Sequence, residues 1–428
     1  MLRHLASPLA RQTAFLFAVD GLANGIDYLF HVTVGRSVAP GDFAVVQTVN
    51  GALLIVVTAA GVLQPVVARY VAQARTAGEG DQGAFVRGIF RYYVRQAALL
   101  GGLLGLLVWL GRSWLGRWLN VPAIAVALGA GMVFLALLRP VVAGMLQGQQ
   151  RFVAFGSTRL AYAAGRFLLA LLFLGILGGG AVAAIAAIPL GAALSLAAGL
   201  LMLGLSVWQE APEAPVWLRR EGRRLSASAL VAYTAYMGLL NLDLIWVNRA
   251  FSPDVAGNYA TAVLLRRVLS LLPGAVIVIL FPRVASRVTR GRPLDGLLAR
   301  ASAAIVVPSL LLSAAYFTLG EPIVRLTFGR AYAEAAPLLG WLGLAMTGYA
   351  LASVWMNTYL ATRPGPYVLL LAGTAVAQLF LYAGYHTNLS EIMIVFAGGG
   401  WFLAIAGFFL YAAWLRPTLG SHWQGRRP

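Results

Sequence analysis

The sequence is unusual first for what it lacks. It contains no cysteine and no lysine, so arginine supplies all 32 basic side chains of the 428-residue chain. The absence of cysteine excludes a disulfide framework and thiol chemistry. Acidic residues number only 14, and charged residues make up 11% of the chain. An average soluble domain has roughly 25% charged residues, so the composition is not that of a soluble protein.

Motifs of catalytic and nucleotide-binding sites are also missing. The sequence has no P-loop, no H-E-x-x-H, no G-x-S-x-G and no acidic cluster with metal-ligand spacing. The segments between the apolar runs are too short to form a catalytic domain. We therefore expect no enzyme activity, no metal site and no cofactor, and we expect Na⁺ or H⁺, rather than ATP, to supply any driving force.

Long apolar runs dominate what is present. Hydrophobic residues make up 60% of the chain, and the mean hydropathy is +0.79. Each run has about 20 residues, enough for a helix to cross a hydrocarbon core of ~30 Å. The sequence thus predicts an all-α polytopic membrane protein with about twelve transmembrane helices. We place them at 12–35, 42–68, 87–110, 120–147, 152–176, 181–207, 225–250, 255–283, 297–319, 332–362, 366–387 and 391–415.

The arginines indicate the orientation of these helices. With a cytoplasmic N-terminus, 22 of the 32 arginines fall on the cytoplasmic side, six on the outer side and four within spans. Such a bias satisfies the positive-inside rule and places both termini in the cytoplasm. It also accounts for the basic charge without a nucleic-acid partner. We expect a monomer surrounded by membrane lipids.

An internal repeat divides the chain. Asp27 and Asp243, Gly41 and Gly257, and Phe43 and Tyr259 are each 216 positions apart. Six helices per copy give both copies the same orientation, as in transporters with a binding site near the midplane between their halves. We predict an N-lobe at 1–207, a cytoplasmic linker at 208–224, a C-lobe at 225–416 and a disordered cytoplasmic tail at 417–428.

Helix 1 carries a polar stripe. Asp20, Asn24, Asp27 and His31 share one helical face through spacings of 4, 3 and 4 residues. Buried carboxylates can bind cations or protons, so Asp20, Asn24 and Asp27 are candidates for ion coupling. The stripe can equally be a structural hydrogen-bond network between helices.

Four arginines lie within predicted spans, where each charge costs from about 2.5 kcal/mol upwards. Arg266 and Arg267 are the leading candidates for binding an anion, because a guanidinium group suits phosphate. Adjacent residues point in different directions, so one arginine can pair with Asp243 as its counter-charge while the other lines a cavity. Arg139 and Arg166 are further candidates for substrate binding or for buried ion pairs.

The internal repeat adds one polar residue to the substrate-binding candidates. The spacing of 216 places Asn50 opposite Arg266, which makes it a further substrate-binding candidate.

Several phrases resemble a known family. The pattern D…G-x-Y-x-x-A from Asp243, "LFPRVASR" ending helix 8, and "LTFGRAYAEAAPLLGWLGLA" entering helix 10 resemble the polysaccharide-exporter branch of the multidrug/oligosaccharidyl-lipid/polysaccharide exporter superfamily, which includes O-antigen flippases. The resemblance implies two pseudo-symmetric six-helix lobes of the MATE-like type. It also implies alternating access and a cationic cavity that receives the pyrophosphate.

The resemblance suggests a specific function. Members move undecaprenyl-pyrophosphate-linked oligosaccharides to the outer leaflet of the bacterial inner membrane for surface polysaccharide synthesis. Glycosyltransferases and a polysaccharide polymerase would then be partners. The alternative is a cation-coupled multidrug exporter of the same fold. Because a drug exporter for cations would favour acids over buried arginines, we expect the flippase.

Overall fold

The computed structural model describes residues 8–76, 82–176, 178–204, 216–290, 292–363 and 365–416. The described part is helical and contains no β-strand. The chain divides into two compact units, with unit 1 ending at Leu230 and unit 2 beginning at Val231. The predicted tail at 417–428 and positions 208–215 of the predicted linker lie outside the described residues.

Unit 1 contains eight complete helices, within the ranges given above. They are α1 (Pro8–Ser37), α2 (Pro40–Gly61), α3 (Leu63–Thr76), α4 (Gln82–Leu110), α5 (Arg112–Leu119), α6 (Ala123–Gly148), α7 (Phe152–Leu171) and α8 (Ala181–Leu203). A π-helical turn at Leu172–Ile176 extends α7. α1 packs on α7, and α3 and α4 pack on α6. The buried apolar core of the last three includes Val71, Phe90 and Met145.

Unit 2 is built from helix α9 onward. Its helices are α9 (Val216–Ala250, which begins in unit 1), α10 (Pro253–Arg266), α11 (Leu271–Thr289), α12 (Asp295–Thr327), α13 (Ala336–Ala361), α14 (Gly365–Gly384) and α15 (Leu389–Leu410). Short 3₁₀ segments lie at Arg267–Ser270 and Arg330–Ala335, and a π-helical turn at Tyr411–Leu415. α9 begins before the predicted start at 225, so part of the predicted linker is helical.

Prolines break two spans that the sequence analysis treats as continuous. α2 and α3 are separated at Val62, and α10 and α11 at Arg267–Ser270. Pro65 and Pro273 lie just after these breaks. Proline has no backbone N–H and its ring clashes with the carbonyl of the residue four positions earlier, so each interrupts the hydrogen-bond ladder there.

Eleven helical runs of the described residues are long and apolar enough to cross a membrane. α1 is not among them although it has 30 residues, because its polar stripe lowers its hydropathy. The eleven runs match the eleven predicted spans after the first, with bounds that differ by several residues. The predicted all-α polytopic class is confirmed.

Four pairs of helix starts in the two units repeat at a spacing of 213 residues, whereas α3 and α11, and α8 and α15, begin 208 residues apart. Pro40 and Pro253 begin α2 and α10, and the residue before each has nearly the same backbone angles, φ −63° and ψ 155° against φ −62° and ψ 154°. The starts of α4 and α12, α6 and α13, and α7 and α14 have the same spacing. These shared spacings confirm an internal repeat. At these four helix starts the two copies are 213 residues apart, three fewer than the expected 216.

This register changes the equivalent residues. Asp243 corresponds to Phe30 and not to Asp27, while Arg266 corresponds to Leu53 and not to Asn50. A slip of three residues is close to one helical turn of 3.6, so apolar and polar positions still match by face. The sequence pattern therefore concealed the error.

Two glycines of α6 allow α3 to pack closely against it. A methyl group on Gly144 would lie 2.6 Å from the carbonyl oxygen of Gln64, and one on Gly148 would lie 2.6 Å from the carbonyl oxygen of Ala68. Small residues four positions apart let membrane helices approach this closely. The contact fixes the backbone of Gln64 beside α6.

We predict that Gly144→Ala destabilises the protein by about 1–3 kcal/mol, because the added methyl overpacks a backbone contact. Thermal unfolding of the detergent-purified chain measures this. Gly131→Ala on the same helix is the matched control, since a methyl there meets no atom within 4 Å. Equal unfolding temperatures for the two variants would contradict this account of the α3–α6 contact.

Candidate functional site

Unit 1 contains an ion pair between α1 and α7. The Asp27 carboxylate contacts the Arg166 guanidinium, whose Cζ also lies 4.1 Å from the centre of the Phe30 ring. The Asp27 side chain is 40% exposed while that of Arg166 is 3% exposed. One face of the carboxylate therefore stays accessible to an ion or proton although its partner is buried.

His31 extends this pair toward α2. Its Nε2 lies 3.8 Å from Asp27 Oδ2, and its Nδ1 lies 2.8 Å from Gln47 Nε2. Because the amide nitrogen of Gln47 can only donate, Nδ1 accepts and the ring proton of a neutral histidine lies on Nε2, facing Asp27. His31 is buried and orients the carboxylate.

A second ion pair lies further along the same two helices. Asp20 Oδ1 is 2.6 Å from Arg159 Nη1, and the side chains are 39% and 47% exposed, respectively. Asn24, between the two aspartates in sequence, is exposed. The structure thus gives each aspartate of the predicted stripe its own arginine on α7, and does not gather Asp20, Asn24 and Asp27 around one shared ligand.

Arg139 on α6 has a different environment. Its Cζ lies 4.1 Å from the centre of the Tyr162 ring, and its buried Nε has no hydrogen-bond partner among the described residues. It makes no ion pair with a described carboxylate. Arg139 lines a cavity of about 290 Å³ within unit 1, together with Gln64, Thr158, Arg159 and Ser195.

In unit 2 the charges form a closed cluster. Arg266 donates to both oxygens of Asp243, from Nη1 to Oδ2 at 2.5 Å and from Nη2 to Oδ1 at 3.0 Å. The Tyr259 hydroxyl donates to Asp243 Oδ2 at 2.6 Å. Asp243 and Arg266 are 0% and 2% exposed, so the aspartate provides the counter-charge of this arginine.

Two further contacts complete the surroundings of Arg266. Its Nη2 donates to the carbonyl oxygen of Leu240 at 2.8 Å, and its Cζ lies 3.9 Å from the centre of the Phe396 ring. Asp243, the Leu240 carbonyl and the Phe396 ring together engage the Arg266 guanidinium group, which therefore has a structural role. The expectation that Arg266 is a leading anion-binding residue conflicts with this geometry.

Arg267 remains available. It begins the 3₁₀ segment and donates to Asn241 Oδ1 at 3.2 Å, is partly exposed, and forms no ion pair with a described carboxylate. Asn50, the remaining predicted substrate-binding residue, is buried in α2 at 5% exposure and does not line the cavity at Arg139. Its proposed role depended on the superseded register.

The sequence analysis missed Arg159, which it counted among the cytoplasmic arginines. Arg159, Tyr162 and Arg166 have spacings of three and four residues and share one face of α7. Asp20, Asn24 and Asp27 on α1 span the same seven residues, with spacings of four and three. That match was the available signal, since two matching polar stripes indicate helices that face each other.

The search for known relatives gives the fold. No protein-family model and no curated protein matches the chain. Solved structures do match. One is described as the "Inward-facing conformation of a multidrug resistance MATE family transporter of the MOP superfamily", with a TM-score of 0.71, 14% identity, and coverage of 94% of this chain and 96% of the other.

Two further structures agree. An outward-facing conformation of a multidrug resistance MATE family transporter has a TM-score of 0.59 and 14% identity, covering 95% of this chain and 94% of the other. A MATE structure in complex with MaD3S has a TM-score of 0.62 and 14% identity, with the same coverages of 95% and 94%. The chain therefore has the fold of MATE transporters, as the family resemblance implies.

We predict that Asp243→Asn destabilises unit 2 by about 3–5 kcal/mol, because it leaves Arg266 buried and charged without its counter-ion. The double variant Asp243→Leu/Arg266→Met should recover most of that loss, since apolar side chains can replace a buried pair. Thermal unfolding measures both. A double variant less stable than Asp243→Asn would contradict a purely structural pair.

Proposed function

We propose that this chain, which has the fold of the MATE transporters, moves an undecaprenyl-pyrophosphate-linked oligosaccharide from the inner to the outer leaflet of the bacterial cytoplasmic membrane. Transport would proceed by ion-coupled alternating access. The arginine bias of the connecting segments supports cytoplasmic termini. Glycosyltransferases that build the lipid-linked sugar, and a polymerase that uses it, would be the partners.

One observation carries the proposal. Four arginines lie within the predicted spans, and two of them pair with aspartates of the same unit. The other two have no carboxylate partner among the described residues. These are Arg139 in unit 1 and Arg267 in unit 2. Because uncompensated cations are unfavourable within a membrane protein, both call for an anionic ligand. A diphosphate supplies that charge, and a guanidinium group binds it with a planar set of donors.

We predict that Arg139→Gln/Arg267→Gln slows flipping at least about tenfold, because each lost charged hydrogen bond is worth ~1.5–3 kcal/mol. The assay is flipping of a fluorescent lipid-linked oligosaccharide in proteoliposomes. Arg112→Gln/Arg249→Gln is the control, since it removes from each unit one arginine that is not buried. Similar rates for the two double variants would refute the role of the unpaired arginines.

Ion coupling is proposed for α1. Asp27 is the leading residue because its carboxylate is accessible while Arg166 and His31 hold it in place. Asp20 is a second carboxylate, and Asn24 offers a neutral oxygen. The described residues contain no group of three histidine, aspartate or glutamate side chains that could coordinate a metal ion. A proton, or Na⁺ with further oxygen ligands, fits these side chains.

We predict that Asp27→Asn abolishes the acceleration of flipping by an imposed H⁺ or Na⁺ gradient while leaving gradient-independent flipping measurable. The neutral amide cannot take up a proton and binds cations weakly. Asp254→Asn is the control, because Asp254 is an exposed carboxylate in the first turn of α10. A normal gradient response in Asp27→Asn would place coupling elsewhere.

The second candidate is a cation-coupled multidrug exporter, supported by the multidrug resistance transporters among the matching structures. Such a protein would transport cationic dyes. Its activity would not fall when Arg139 and Arg267 are neutralised, because removing positive charge does not weaken binding of a cation. The same double variant therefore separates the two functions.

A further inference from the structure

The cavity at Arg139 lies entirely within unit 1, and most of its polar donors are already used. The Thr158 hydroxyl donates to Phe155 O at 2.7 Å and the Ser195 hydroxyl to Thr158 O at 2.7 Å. Gln64 Nε2 donates to Gln147 Oε1 at 2.9 Å. The donors left for a ligand therefore belong mainly to the guanidinium groups of Arg139 and Arg159, and these select an anion.

The second copy of the repeat has no arginine at the corresponding positions. At the spacing of 213, Arg139 corresponds to Ala352 on α13 and Arg159 to Ala372 on α14. Both α6 and α13 have 26 residues, so the same helix forms with alanine in that place. Two like charges at one cavity also repel each other, and an anion between them removes that repulsion.

The volume limits the ligand. A water molecule occupies about 30 Å³ in the liquid, so a cavity of about 290 Å³ has room for roughly ten atoms of that size. A diphosphate group, with two phosphorus and seven oxygen atoms, matches this size. An oligosaccharide does not, so the cavity suits only the charged end of a larger ligand.

Asp20 competes with an anionic ligand for the guanidinium group of Arg159. Its carboxylate contacts Arg159 at 2.6 Å, and an anion in the cavity would use the same guanidinium group. Both side chains are nearly half exposed, so the pair is weak enough to open. Exposed ion pairs are weak because water competes for both partners.

We propose that the cavity lined by Arg139 and Arg159 is a diphosphate site, and that Asp20 lowers its affinity by holding Arg159. The inference rests on the proposed function for the lipid attached to that diphosphate, but not for the anion site itself. Two sources offer the same chemistry, namely a lipid-linked diphosphate and free inorganic pyrophosphate.

The test is calorimetric titration of the detergent-purified full chain with sodium pyrophosphate. We expect Arg139→Gln and Arg159→Gln each to weaken binding about tenfold or more. Asp20→Asn should tighten it about two- to fivefold, which corresponds to about 0.4–1 kcal/mol and lies within the range for exposed ion pairs. Arg159 is partly exposed, so its variant tests the site even if Arg139→Gln fails to fold.

Charge-matched controls separate local from general electrostatics. Arg112→Gln and Asp42→Asn remove one charge of each sign from unit 1 outside the cavity, at positions that are not buried, and should change the affinity less than twofold. Absence of pyrophosphate binding in the unaltered chain, or equal losses in Arg159→Gln and Arg112→Gln, would overturn the site. Equal affinities in Asp20→Asn and Asp42→Asn would overturn the competition.

A second arm identifies the source of the diphosphate. If Arg159→Gln also slows flipping of the lipid-linked oligosaccharide, the ligand is the lipid diphosphate. If it weakens only pyrophosphate binding, the ligand is a free diphosphate. A chain that binds pyrophosphate with the expected variant pattern but flips no lipid would disprove the proposed function and support the anion site.

Discussion

A guanidinium group inside a membrane helix is costly unless its charge is compensated, and this constraint organises the polar interior of both units. Arginine cannot lose its proton, so the protein must supply an acid, an aromatic face or an external anion. Asp243 does this completely for Arg266, through two hydrogen bonds in a fully buried site. The positions of α9, α10 and the 3₁₀ segment that follows all depend on that pairing.

The two units meet the constraint differently. Unit 2 places Asp243 and Arg266 in a closed cluster, which leaves no room for exchange of partners, and Arg267 lies outside that pair. Unit 1 distributes two acids and three arginines along α1, α6 and α7, with accessible carboxylates and one unpaired guanidinium. A closed pair is suited to holding helices, whereas a partly exposed pair can trade its partner for an ion or a ligand. The expected chemistry therefore concentrates in unit 1.

Much of the fold follows from sequence because hydropathy and arginine bias report burial in a membrane directly. The pairing of Asp243 with either Arg266 or Arg267 was also foreseeable, since one acid in an apolar run lay near two cations in another. The repeat register was not, because a slip of three residues preserves the helical face. Arg159 was missed because charge counting assigns a residue to a side of the membrane but does not reveal that its guanidinium reaches Asp20.

The unequal copies of the repeat have a consequence for stoichiometry. Where two halves of a transporter carry the same side chains, two equivalent ligands can bind to one polypeptide. In this chain the helices corresponding to α6 and α7 carry Ala352 and Ala372 in place of the cavity arginines. Duplication has thus supplied a second scaffold without a second copy of this cavity's charge, and the cavity accounts for one bound anion per chain.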